Sequence, residues 1–249
     1  MLLLIPLFLC WGSFLNVVAY RLIRGEHLVR PRSHCPQCNV PISWYDNIPV
    51  LSWLWLRGKC RNCQRSISQL YPVVEILTAG MLYFLYLFVP LQFFFAYFIF
   101  FSALIVTFRS DLETMLISQW VTLFLIPLGP LFSMVGWLPI SLLESVLGAI
   151  LGYLFLFAIG KVFYLLTGKM GIGAGDFELL ALIGAFSGIF GAWLTLLVAS
   201  ITGSLFGIVY LMLTKSGRNA KIPFGPFLSL AAIVVVLVQF ACPYSRFIL

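Results

Sequence analysis

Apolar runs long enough to cross a bilayer follow one another along almost the whole chain. They fall at about residues 1–20, 71–89, 91–108, 118–137, 140–166, 177–188, 191–213 and 224–242. A hydrocarbon core about 30 Å thick takes about 20 apolar residues of helix. Lipid offers the backbone no hydrogen-bond partners, so such runs must be helical. The short alternating segments of a transmembrane barrel are missing from the sequence. With 62% hydrophobic and only 9% charged residues in 249, the chain cannot cover a soluble surface. Those fractions also exclude a disordered chain and a small disulfide scaffold. The first run opens at Met1 without a basic leader or a small-residue exit, so it reads as a retained span. The sixth is short, and Gly184, Gly188 and Gly191 blur its border with the seventh. The expected fold class is an all-α polytopic membrane protein of about eight transmembrane helices.

Orientation follows from the cations. Arg21, Arg24, Arg30, Arg32, Arg57, Lys59, Arg61 and Arg65 cluster after the first run, and Arg109, Lys161 and Lys169 border later ones. Lys215, Arg218 and Lys221 separate the last two runs. With both termini outside, all of these face the cytoplasm and only Arg246 lies outside. The net charge of +7 is thus an orientation signal rather than a nucleic-acid signature, and no nucleic-acid partner is expected.

Residues 24–70 form the one sizeable polar segment. They carry Cys35-Pro36-Gln37-Cys38 and Cys60-Arg61-Asn62-Cys63, two C-x-x-C pairs with 21 residues between them. Each pair can aim two thiolates at one tetrahedral ion, and four sulfurs select zinc or iron over a hard cation. A set of four sulfurs leaves no open position, so structural Zn2+ is the expectation. A redox centre and two disulfides are the alternatives, the disulfides being disfavoured in a reducing compartment. A polar insert of this size has few core residues and gains from such a staple. His27 and His34 read as solvated, and Cys10 and Cys242 as small buried hydrophobes.

The eight acids can be taken singly. Glu26 and Asp46 lie in the insert, while Glu75 and Glu144 lie at or in apolar runs. Two clusters remain, Asp111 with Glu113 and Asp176 with Glu178. Asp111 follows the third run, and Asp176 closes Gly171-Ile172-Gly173-Ala174-Gly175-Asp176. Both fall at the cytoplasmic boundary in this topology, so they can be neighbours although 65 residues apart. Paired carboxylates share one proton and can activate water. The alternative is that each aspartate caps the helix after it.

Taken together, several stretches resemble the bacterial type IV prepilin leader peptidase and N-methyltransferase family. They are Gly12-Ser13-Phe14-Leu15-Asn16, the two cysteine pairs, Ile42-Ser43-Trp44-Tyr45-Asp46-Asn47-Ile48-Pro49 and Tyr71-Pro72-Val73-Val74-Glu75. Asp111-Leu112, Thr167-Gly168-Lys169, the glycine-rich run to Asp176-Phe177 and Pro223-Phe224-Gly225-Pro226 complete the pattern. The resemblance implies an intramembrane aspartic endopeptidase of the Gly-x-Gly-Asp type, with Asp111 and Asp176 as its catalytic pair. It implies type IV prepilins and pseudopilins as substrates, cut after Gly at the cytoplasmic face of the inner membrane, with lipids as surroundings. It further implies methylation of the new N-terminal amine with S-adenosylmethionine, associated with the cysteine loop. Gly58 and Lys59 are the first candidates for contact with that methyl donor.

The implied domains are a first transmembrane helix over 1–22, a cytoplasmic zinc-binding loop over 23–70 and a transmembrane aspartic peptidase domain over 71–249. Two positions depart from the pattern. Ser118-Gln119 stands where Pro-Asp is common, and Glu178 where a Lys often follows Asp-Phe. Glu178 is expected to add negative charge near Asp176. A peptidase without methylation, and a transporter or scaffold carrying a zinc insert, are the competing readings.

Overall fold

The computed structural model describes residues 3–28, 32–214 and 222–241. Arg30, Lys215, Arg218, Lys221, Cys242 and Arg246 lie outside the described residues. Helices account for the regular structure, with two isolated β-bridges but no strand among the described residues. The chain divides into two compact units, residues 1–87 and 88–249.

In the first unit, α1 (Leu4–Arg24) packs on α3 (Leu70–Phe88). The approach is close at Gly12, where a Cβ would lie 2.9 Å from Glu75 Cα. One turn further on, Asn16 Nδ2 donates to the Tyr71 carbonyl at 3.1 Å. Helix α1 ends at Gly25, whose left-handed φ of 66° lets the last turn close. Arg21 donates to the carbonyls of His27 and Leu28, so the chain leaving the helix is tied back to it.

Between these helices lie a 3₁₀ turn over Trp44–Asn47 and the short α2 (Leu51–Trp55). Val50, just before α2, has φ 60° and ψ −51°. Leu51 N–H bonds the Pro49 carbonyl at 2.6 Å, which makes this a γ-turn of the rare, strained hand.

The second unit holds α4 (Leu91–Thr114), α5 (Gln119–Leu125), α6 (Leu128–Met134), α7 (Leu142–Thr167), α8 (Ala174–Thr214) and α9 (Gly225–Ala241). Helix α4 packs on α9, and α8 packs on α7, α9 and α5. Tyr97, Phe100, Phe101 and Leu104 of α4 are fully buried, and Phe100 stacks on Phe186 of α8 at 4.8 Å. A Cβ on Gly148 would lie 2.3 Å from the Gly184 carbonyl oxygen, so α7 and α8 cross backbone to backbone. Ser145 of α7 donates to the Ala185 carbonyl at 2.6 Å beside that crossing.

Five helices among the described residues are long and apolar enough to cross a membrane: α1, α3, α4, α7 and α8. The run expected at 118–137 is two short helices meeting at Ile126-Pro127. Helix α9 has 17 residues. The vague border of the sixth and seventh runs is a real break: Gly188, at φ 72° and ψ −176°, interrupts α8. Glu144 closes a capping box with Ser141 at the start of α7.

Candidate active site and cysteine cluster

The two aspartates meet at one end of the second unit. Asp111 sits in the last turn of α4, four residues before the left-handed Met115 that turns the chain. It therefore does not cap the helix after it; α5 begins at Gln119 behind Ser118. Its Oδ2 accepts the backbone N–H of Gly225, the first residue of α9, at 3.0 Å. Asp176 lies in the first turn of α8, and its Oδ2 accepts the Gly173 N–H at 3.3 Å. It thus ties down its own helix start, while its carboxyl group lies near that of Asp111.

Glycines and one isoleucine define the space between them. A Cβ on Gly225 would lie 2.7 Å from Asp111 Oδ2, and one on Gly175 would lie 2.7 Å from Ile117 Cβ. Ile117 Cδ1 is also 3.1 Å from the Gly225 Cβ position. Ile117 therefore fills the gap between the backbone next to Asp176 and the α9 residue whose amide holds Asp111. Neither Ile117 nor the Gly225 amide was legible as a site group; the Pro-Phe-Gly-Pro stretch was the sole signal for the latter.

Of the flanking acids, Glu113 pairs with Arg109 one helical turn back, which occupies it away from Asp111. Glu178 is buried and turns to α5. Its Oε1 accepts from Gln119 Nε2 at 3.1 Å and its Oε2 from Thr122 Oγ1 at 2.7 Å. The two departures from the resemblance, Gln119 and Glu178, are thus bonded to each other. Glu178's carboxyl oxygens are directed at α5 donors. A cavity of about 790 Å³ lies elsewhere, between Pro90, Ile140, Gly188 and Phe240, and neither aspartate lines it.

In the first unit, the ligand atoms of Cys35, Cys38, Cys60 and Cys63 all lie within 4.8 Å of one another. Cys35 Sγ and Cys63 Sγ are 3.8 Å apart, and all four thiols are free. Metal–sulfur bonds of about 2.3 Å in a tetrahedron put sulfurs about 3.8 Å apart, so the cluster fits one metal ion.

The two halves are copies of one motif 25 residues apart. Cys35 N–H bonds the Val40 carbonyl at 3.0 Å, and Cys60 N–H bonds the Arg65 carbonyl at 2.9 Å. Asn39 and Gln64 both take positive φ, and His34–Pro41 and Lys59–Ser66 form matching bridges. Each knuckle turns its amides toward its sulfurs. The Val40 amide lowers the Cys38 thiol, and the Cys63 and Asn62 amides bring Cys60 down to about 7. Cys63 gains from the Arg65 amide, but desolvation and the other thiols outweigh that and push it to about 11. Four thiols cannot ionise together unaided, whereas a dication would relieve that repulsion.

Arg61, between the second pair of cysteines, makes a two-pronged bond to Asp46 at 2.8 and 2.7 Å. That guanidinium holds the Asp46 carboxyl below the usual carboxylate range. Gly58 has φ 67° with the Trp53 ring where its Cβ would be, and Lys59 N–H bonds Leu56 in the same turn.

Comparison with known proteins agrees with these two halves. Residues 7–89 match the Bacterial Peptidase A24 N-terminal domain, and residues 98–208 match the Type IV leader peptidase family. A protein of Aeromonas salmonicida (strain A449) named prepilin leader peptidase/N-methyltransferase is 39% identical over 253 residues, covering 91% of this chain and 86% of its own. Its namesake in Aeromonas hydrophila is 40% identical with the same coverage. The one in Klebsiella pneumoniae is 42% identical over 77% of this chain and 87% of its own. No solved structure matches. By this similarity along nearly its whole length, the chain belongs to the prepilin leader peptidase/N-methyltransferase family.

Proposed function

We propose that this protein cuts the basic leader from type IV prepilins and pseudopilins after Gly, at the cytoplasmic face of the bacterial inner membrane. The observation that carries this reading is the convergence of Asp111 and Asp176, each held by a backbone N–H, from 65 residues apart. One carboxylate is ionised and takes a proton from a water between them; the other is protonated and gives its proton to the scissile carbonyl oxygen. The water oxygen bonds the carbonyl carbon, giving a tetrahedral diol. On collapse the C–N bond breaks, the amine nitrogen takes up the proton first removed from water, and a hydroxyl proton returns to the other carboxylate.

Substrate choice follows from position. A basic leader stays with anionic headgroups, and the apolar segment after the cut enters the bilayer. The cut bond then lies at the depth of the two aspartates. A Gly there is easily held extended for attack.

The same protein methylates the new terminal amine. S-adenosylmethionine supplies the methyl group from its sulfonium, and the amine loses a proton. The cysteine insert of 23–70 serves this step, with Gly58 and Lys59 the residues to test for cofactor contact, while 71–249 serves cleavage. Zn2+ on Cys35, Cys38, Cys60 and Cys63 is structural. The membrane reading has eight crossings, α8 contributing two through its break at Gly188, with the insert and both aspartates cytoplasmic.

The test is a prepilin co-expressed with wild type, Asp111→Asn or Asp176→Asn. Each variant should remain in the membrane and leave the prepilin uncut; cleavage by either sinks the pair. Mass spectrometry of the mature pilin N-terminus reads methylation, and an unmodified amine from wild type removes the second activity.

A further inference from the structure

We propose that Glu178 is a positioning residue for cleavage: by bonding Gln119 and Thr122 it clamps α5 to α8 and sets the spacing of Asp111 and Asp176. The proposal rests on those two aspartates being the catalytic pair.

The geometry is a short chain of contacts. Met115 turns the chain out of α4, with its N–H on the Asp111 carbonyl at 2.9 Å. Two residues later Ile117 lies against the Gly175 and Gly225 backbones, beside both carboxylates. Two residues after that, Gln119 Nε2 reaches Glu178 Oε1 at 3.1 Å. Glu178 itself is two residues past Asp176 on α8. Ile117 is therefore held from one side by Met115, which belongs with Asp111, and from the other by the clamp, which belongs with Asp176.

Glu178 is 7% exposed and Thr122 is fully buried. Burying a carboxylate against one amide and one hydroxyl is a costly way to join two helices, and an apolar contact would join them more cheaply. What the carboxylate adds is direction. Two donors on successive turns of α5, one to each oxygen, fix both the rotation and the height of α5 on α8. Ile117 packs where a Cβ on Gly175 would sit at 2.7 Å, so a small slip of α5 would be transmitted to the backbone beside Asp176.

The experiment uses the full-length protein in detergent with a purified prepilin, reading kcat, KM and thermal unfolding separately. Glu178→Gln preserves the clamp, because the Gln119 amide can rotate to accept from the new amide while Thr122 still donates to its oxygen; kcat should stay close to wild type. Glu178→Leu should lower kcat by roughly ten- to a hundred-fold with KM little changed, the cost of misplacing reacting groups by about 1 Å. Glu178→Lys should be similarly poor, and Gln119→Asp added to it should recover most of the loss by replacing the bonds with an ion pair.

Unchanged kcat in Glu178→Leu overturns the clamp, as does a Glu178→Gln as damaged as Glu178→Leu. Should the leucine variant not fold, the lysine variant and its double partner decide, and a double variant no better than Glu178→Lys overturns it. Asp111→Asn and Asp176→Asn are assayed alongside. Cleavage by either removes the catalytic pair and the clamp with it, whereas inactive asparagine variants beside a fully active Glu178→Leu remove the clamp alone.

Discussion

Glu75 accepts the backbone N–H of Val50 at 2.8 Å, and that bond holds a β-branched residue in a backbone conformation it rarely adopts. Such strain costs about 1–3 kcal/mol and persists where surroundings enforce it. Here the enforcing group is a buried carboxylate on α3, so the insert hangs from that helix at Val50. Glu75→Ala should destabilise the first unit by about 1–3 kcal/mol, the cost of leaving the Val50 N–H without its acceptor. Limited proteolysis between residues 48 and 56 should accelerate. Glu75→Gln keeps an acceptor and should behave like wild type. Val50→Gly should recover part of the alanine loss by relieving the strain, and no recovery would mean the turn is not strained.

Gly225→Ala should cut cleavage by roughly tenfold or more while unfolding shifts little, because the displacement is local to reacting groups. The added methyl would sit 2.7 Å from Asp111 Oδ2 and 3.1 Å from Ile117 Cδ1. Gly203→Ala is the control, since its methyl meets the Phe227 and Phe224 rings at ordinary contact distances of 3.5 and 3.8 Å. Equal activity of the two variants would dissociate Gly225 from the site.

With one ion held by both knuckles as proposed, Cys35→Ser and Cys60→Ser should each lower the metal content of the purified protein, and to a similar extent. Metal analysis of purified protein reads this directly, and a full metal complement in either variant excludes the cluster. Metal retention should weaken as pH falls, since protons compete with the ion for the thiolates of all four cysteines. Chelation should loosen residues 33–67 toward proteases and impair methylation before it impairs cleavage.

Arg61→Ala should raise the Asp46 carboxyl back toward its ordinary value of about 3.9. The folded carboxyl is held below that value, so the pair's contribution is complete above the ordinary pKa and disappears as pH falls through the lowered one. An NMR titration of Asp46 in wild type and variant measures the difference. An unshifted titration in wild type would refute the coupling.

Features with short-range causes were legible in the sequence. Cysteine spacing within each pair fixes a knuckle locally, and long apolar runs become long helices because lipid or a dry core demands it. Asp111 and Asp176 were legible as candidates, and Asp111 was preferred to Glu113 only through resemblance; the pairing of Glu113 with Arg109 was not legible. Pro127 marks a break in the fourth run that an apolar count passes over. Gln119 and Glu178 looked like two unrelated departures, because nothing local links residues 59 apart. The repeat of the two knuckles was hidden by differing side chains, since what repeats is backbone bonding.

The bond between Asp111 and Gly225 spans 114 residues of chain. Synthesis runs from the N-terminus, so α4 is made long before the first residue of α9 leaves the ribosome. Until then Asp111 lacks its amide donor and the two acids lack one wall of their enclosure. With Asp111 and Asp176 as the proposed pair, activity should arrive only once α9 is in place, and a chain truncated before α9 should insert and leave prepilin uncut.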